Sequence, residues 1–188
     1  QNQSSGNNTA LTSAQMLGAN YNFDAKIQIS NGTQTLSASA RQMLTDGKCT
    51  PWTQGQIAQT MLCADDSTAR IYDMGFDSYK SIRPRFYATF WPATNQVTVR
   101  YVGENALTTA AKDVQTTNFA LTLGSASPQT VYTRANLVLT FLSRVTKTYW
   151  QGGTPEQQIN INNNLAYLIE TKYFPSYDLS MSVPDATI

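Results

Sequence analysis

Residues 127–150, SPQTVYTRANLVLTFLSRVTKTYW, decide the fold class, because they carry two incompatible patterns at once. Val131, Ala135, Val138, Leu142, Val145 and Tyr149 recur at three- and four-residue spacing, the stripe of one helix face. Ser127 as N-cap, Pro128 at the first helical position and Gly152 with Gly153 beyond the last turn supply start and stop signals. The same residues are rich in Val, Thr, Tyr and Trp, and residues 137–142 are nearly continuously apolar, the composition of a long strand. Since every slot of the helical stripe is filled, this reading predicts a helix, with a long strand over residues 137–150 as the alternative.

The segment that follows reinforces the helical choice. Thr154 as N-cap, Pro155 at N1 and Gln157 at N3 make a capping box, and Ile161, Leu165, Leu168 and Ile169 continue at helical spacing until Phe174 and Pro175. Two helices joined at residues 151–153 form an antiparallel hairpin. Beyond it, Tyr177, Leu179, Met181 and Val183 alternate with Asp178, Ser180 and Ser182, the period of a strand that completes a sheet or is donated to another subunit.

Upstream, strand signals dominate. Phe23, Ala25, Ile27 and Ile29 alternate with Asp24, Lys26, Gln28 and Ser30, and Asn31 with Gly32 then predicts a tight type I′ turn, with residues 33–40 as the returning strand. Residues 37–44 also suit a helix stopped at Asp46 and Gly47. Residues 53–63, TQGQIAQTMLC, suit a short helix with Ile57, Met61 and Leu62 on one side. A second hairpin is expected over residues 85–102, turning at residues 92–95, and residues 119–123 add a strand. Residues 9–19 fit a short helix or an extended arm. The resulting fold class is α+β, an antiparallel sheet with a C-terminal helical hairpin packed on one face; an all-β sandwich is the alternative. The expected organisation is an N-terminal arm (1–19), a single domain (20–175) and a C-terminal strand or tail (176–188).

Composition narrows function. Of 188 residues only 13% are charged, with 13 Lys and Arg against 12 Asp and Glu, roughly half the usual share, whereas Ser, Thr, Asn and Gln number 69. This balance supplies neither a basic stripe for nucleic acid nor a polybasic segment for an anionic membrane, and no window is long and apolar enough to span a bilayer. The chain has no His, which removes Ser-His-Asp and Cys-His catalysis and the HExxH zinc pattern. Glycine-rich phosphate cradles and calcium-loop spacing are also missing, so no cofactor and no metal are expected. A hydrolase would have to rest on Asp and Glu alone, two of them with separated pKa values.

Cys49 and Cys63 stand 14 apart with Pro51 and Gly55 between them, which predicts a loop-closing disulfide and an oxidising compartment: secreted, cell-surface or periplasmic. Gln1 in place of Met predicts a cleaved leader. Sequons at Asn2, Asn7 and Asn31 are candidate glycosylation sites. Trp52, Phe86, Trp91, Tyr149 and Trp150 are the candidate interface or stacking residues. The leading expectation is a non-enzymatic structural subunit of a filament, pilus, virion or envelope secretion complex, partnered by copies of itself or other assembly subunits. A secreted carbohydrate- or surface-binding module and a small carboxylate-dependent hydrolase are the alternatives.

Overall fold

The computed structural model describes residues 10–106, 114–140 and 142–151, with backbone alone at 114 and 115. The chain divides into a unit of residues 1–155, which holds all of these, and a unit of residues 156–188. The candidate sequons at Asn2 and Asn7, the second helix expected over 154–175 and the strand expected over 177–183 lie outside the described residues.

Among the described residues two short helices, α1 (Ser13–Met16) and α2 (Ala40–Thr45), accompany nine strands: β1 (Ala25–Ser30), β2 (Thr35–Ser39), β3 (Cys49–Thr53), β4 (Gln59–Cys63), β5 (Ile82–Trp91), β6 (Gln96–Asn105), β7 (Val114–Leu123), β8 (Gln129–Thr140) and β9 (Arg144–Gln151). All pairings are antiparallel, in a four-stranded sheet ordered β2-β1-β7-β8 and a five-stranded sheet ordered β3-β4-β5-β6-β9. The sheets face each other across one apolar core. Phe119 of β7 meets Tyr101 of β6 at 5.5 Å between ring centroids, and Tyr101 in turn meets Phe86 of β5 at 5.3 Å. At the edge, Lys147 of β9 lies over the Tyr132 ring of β8 at 4.3 Å. β5 shows the cause in its own sequence: Ile82, Pro84, Phe86, Ala88 and Phe90 are buried while the residues between them are half-covered, the two-residue period of a pleated strand.

The α+β expectation is therefore corrected to a mostly antiparallel two-sheet architecture, which the all-β alternative fits. Residues 127–150 form two strands, not a helix. Leu137 and Leu139 are buried, but Ala135, Val138 and Leu142, which the helical stripe would have placed in the core, are exposed. The long-strand alternative is corrected too, because the chain changes sheet at residues 140–144. Buried Asn105 fixes that crossing: its carbonyl accepts from Leu142 N (2.8 Å), its N–H donates to the Ser143 carbonyl (3.0 Å) and its side chain donates to the Leu139 carbonyl (3.3 Å). Leu142 itself adopts φ +56°, ending any regular element there. The β-branched residues on both sides find ready ladders on β7 and β6, and these outweigh a coincidental helical period.

The helix expected over residues 53–63 is likewise corrected. β4 occupies its C-terminal half between β3 and β5, and Ile57, assigned to the apolar side, is exposed. Both second-strand and helix readings of residues 33–44 hold in part, with the switch at Ser39. Its hydroxyl accepts from Gln42 N as the α2 N-cap and donates to Asp24 Oδ1. The first hairpin forms, but through a loop at residues 31–34, not the tight two-residue turn. Gly32 alone has positive φ (+90°) there, and Asn31 Oδ1 accepts from Thr33 N and Gln34 N. The second hairpin forms as expected, β5 to β6, with residues 119–123 inside β7.

Candidate functional site

The disulfide between Cys49 and Cys63 is formed, joining directly opposed residues of β3 and β4. It pins a strand with little other burial, since Thr50, Pro51, Trp52 and Thr53 are exposed. A bulge between Pro51 and Thr53 leaves Trp52 outside the ladder. Its ring meets Tyr87 of β5 edge-on at 5.6 Å, with the Arg100 guanidinium of β6 also near that tyrosine. Strand register then carries the same outer surface across the sheet. Thr60, Thr89, Thr98 and Trp150 form one row over β4, β5, β6 and β9, and Trp91 packs on Trp150 at 5.8 Å while its indole N–H donates to Thr98 Oγ1 at 3.1 Å. At the far end of this face Glu104 is held by Arg85 (3.2 Å) and Arg144 (2.5 Å).

Three of the five aromatic candidates thus share one face: Trp52, Trp91 and Trp150. The other two do not. Phe86 is fully buried and packs on Tyr101, so its assignment as an interface or stacking residue is corrected to core. Tyr149 points inward, half-buried against the core. Tyr87 belongs to the outer face, and its alternation with Phe86 was the signal for it. Asn31 stands exposed on its loop.

A second feature lies where β8 and β9 end their sheets on the same side of the molecule. Among the described residues neither strand has a neighbour on its outer side. Val131 and Tyr132 of β8, with Val145 and Tyr149 of β9, line this seam as half-covered apolar side chains packed on the core. A cavity of about 350 Å³ opens at one end, lined by Val131, Gln129 and Leu123 on one sheet and Trp150 and Gln151 on the other. Buried Gln151 secures that end: its amide N–H donates to the carbonyls of Tyr21 (2.9 Å) and Asn22, and its Oε1 accepts from Asp24 N (3.2 Å). The two edges differ. β8 is broken by two register shifts, whereas β9 pairs with β6 over its eight residues without one.

Three carboxylates of the long loop at residues 64–81, Asp65, Asp73 and Asp77, are engaged in holding that loop. Burial pushes the Asp65 carboxyl up, but hydrogen bonds from the Ser67 hydroxyl and amide, the Tyr72 amide and Lys48 outweigh this and hold it at about 2. Asp73 goes the other way: burial raises it despite Arg70 at 3.3 Å and Arg83 at 3.5 Å. Asp77 is lowered, since hydrogen bonds from Ser81 and the Tyr79 amide overcome its burial. No group of three or more Cys, Asp or Glu that could hold a metal ion occurs among the described residues, and no helix there is long and apolar enough to cross a membrane.

The fold and these surfaces define the chain as a disulfide-linked protein of two packed antiparallel sheets. No family model, curated protein or solved structure matches it.

Proposed function

We propose that this chain is a non-enzymatic structural subunit of a secreted, cell-surface or periplasmic assembly, acting through protein–protein interfaces. The observation that carries the reading is the seam between β8 and β9, where two strand edges and four half-covered apolar side chains meet on one side of the sandwich. An exposed edge is a template for another strand, and a rim of the core beside it offers the apolar contacts that make such pairing selective. The disulfide is compatible with an extracellular protein. The low charge density supports the reading as well, because repeated uncharged polar surfaces associate without like-charge repulsion. The test is the molar mass of the purified chain by light scattering over a hundredfold concentration range, with negative-stain imaging of the same sample. A regular assembly is expected; a monomer near 20.7 kDa throughout overturns the reading.

A carbohydrate-binding module is the second reading, favoured by the outward Trp52, Tyr87, Trp91 and Trp150 beside a row of threonine hydroxyls. Saturable quenching of indole fluorescence by a glycan, abolished in Trp91→Ala, supports it. Unchanged fluorescence across a glycan panel overturns it.

A further inference from the structure

We infer that the occupant of the β8–β9 seam is the C-terminal segment of a second copy, residues 177–183, added as a strand along the edge of β9 that has no neighbour among the described residues. The inference rests on the structural-subunit reading and names its joint. β9 is the receiving edge because its ladder to β6 runs without a bulge, so its outer backbone groups follow one another regularly, whereas the register shifts of β8 interrupt that edge.

The apolar pattern matches. A strand beside β9 shares its pleat, so one face looks into the seam and the other joins the outer face of the sheet. Looking inward from β9 are Val145, Lys147, Tyr149 and Gln151, opposite the inward Gly103, Tyr101, Val99 and Val97 of β6. Tyr177, Leu179, Met181 and Val183 repeat at the same two-residue interval and supply four apolar groups for the half-covered Val145, Tyr149, Val131 and Tyr132. The alternate residues, Asp178, Ser180 and Ser182, then fall on the face that carries Arg144, Thr146 and Thr148. Lys147, inward on an edge strand, discourages unselective pairing, and its place over the Tyr132 ring keeps its charge partnered while the site is open. Pro184 follows the segment and ends its pairing.

The chain reaches. Residues 152–176 connect β9 to the segment and, at about 3.3 Å per residue, extend up to about 80 Å, well beyond one domain. A donor segment entering an acceptor seam is a head-to-tail contact, which propagates into a ring or a filament.

The test compares the full chain with the double variant Leu179→Glu with Met181→Glu, whose substitutions lie outside the described sheets. It uses light scattering, thermal melting and a labelled synthetic peptide of residues 176–184. The expected result is that the full chain assembles, the variant falls to a monomer that still melts in one cooperative transition, and the peptide binds the variant saturably and raises its melting midpoint. An assembly that persists in the variant overturns this inference while leaving the structural-subunit reading standing. A monomeric full chain overturns both.

Discussion

Replacing Cys49 and Cys63 together by Ala should lower stability by about 3 kcal/mol. The two residues are 14 apart and directly opposed across β3 and β4, and a cross-link closing a loop of about 15 residues removes roughly that much conformational freedom from the unfolded chain at 25 °C. For a domain of this size each kcal/mol corresponds to about 2–4 °C, so the melting midpoint should fall by roughly 6–12 °C. The structure adds where the loss begins. β3 contributes little burial of its own, so without the cross-link it is held by its ladder to β4 and by Trp52 against Tyr87. Hydrogen exchange at Thr50, Trp52 and Thr53 should therefore accelerate more than at β5. Urea titration of both proteins gives the global value, and exchange monitored by mass spectrometry gives the local one. A global change below about 0.5 kcal/mol would refute the loop-entropy argument and show that β3 lies outside the cooperative unit.

Gly103→Ala should cost about 1–3 kcal/mol, because a Cβ there collides with the buried Tyr101 ring and hydroxyl. Combining it with Tyr101→Phe should cost less than the sum of the single changes in denaturant titration, and strict additivity argues against the clash. For Asp65 the folded carboxyl sits at about 2, below its unfolded value near 3.9, so its contribution is present above pH 4 and disappears as pH falls through 2. The urea-midpoint difference between wild type and Asp65→Asn should shrink over that window; a constant difference contradicts the assignment. Asp73 has the opposite sign, its carboxyl being raised by burial, so in urea titration Asp73→Asn should lose more stability at low pH than at pH 7. Gln151→Ala leaves the Asp24 amide and the Tyr21 and Asn22 carbonyls without their partner, and should cost about 2–3 kcal/mol with faster exchange at Asp24.

Legibility in the sequence followed the range of the interactions. The β5–β6 hairpin was readable because its alternation and its turn residues are local, and the disulfide because two cysteines flank one short loop. Asn31 and Gly32 marked a turn correctly but not its length, which the register Ser30 to Thr35 sets. The row that brings Trp91 and Trp150 together was not readable, since it depends on β9 pairing with β6 across the 38 residues between them. Phe86 and Tyr87 show the limit within one strand: alternation places them on opposite faces, but only the second sheet decides which face is buried.

By itself the sequence determined the absence of histidine chemistry, the sparse charge, the cysteine pair and the strand signals on either side of local turns, because each is a property of composition or of near neighbours. Tertiary structure alone decided that residues 127–150 are two strands in two sheets. A helix there would have hidden Val138 and Leu142 at once, but pairing with β7 and β6 gives each β-branched segment a ladder on one side and buries Leu137 and Leu139 instead. β7 lies only five residues before β8, but β6 lies 38 residues before β9, and which distant ladder a segment joins is not written in its own periodicity. The same long-range pairing placed β8 and β9 together at one side of the molecule and made the seam.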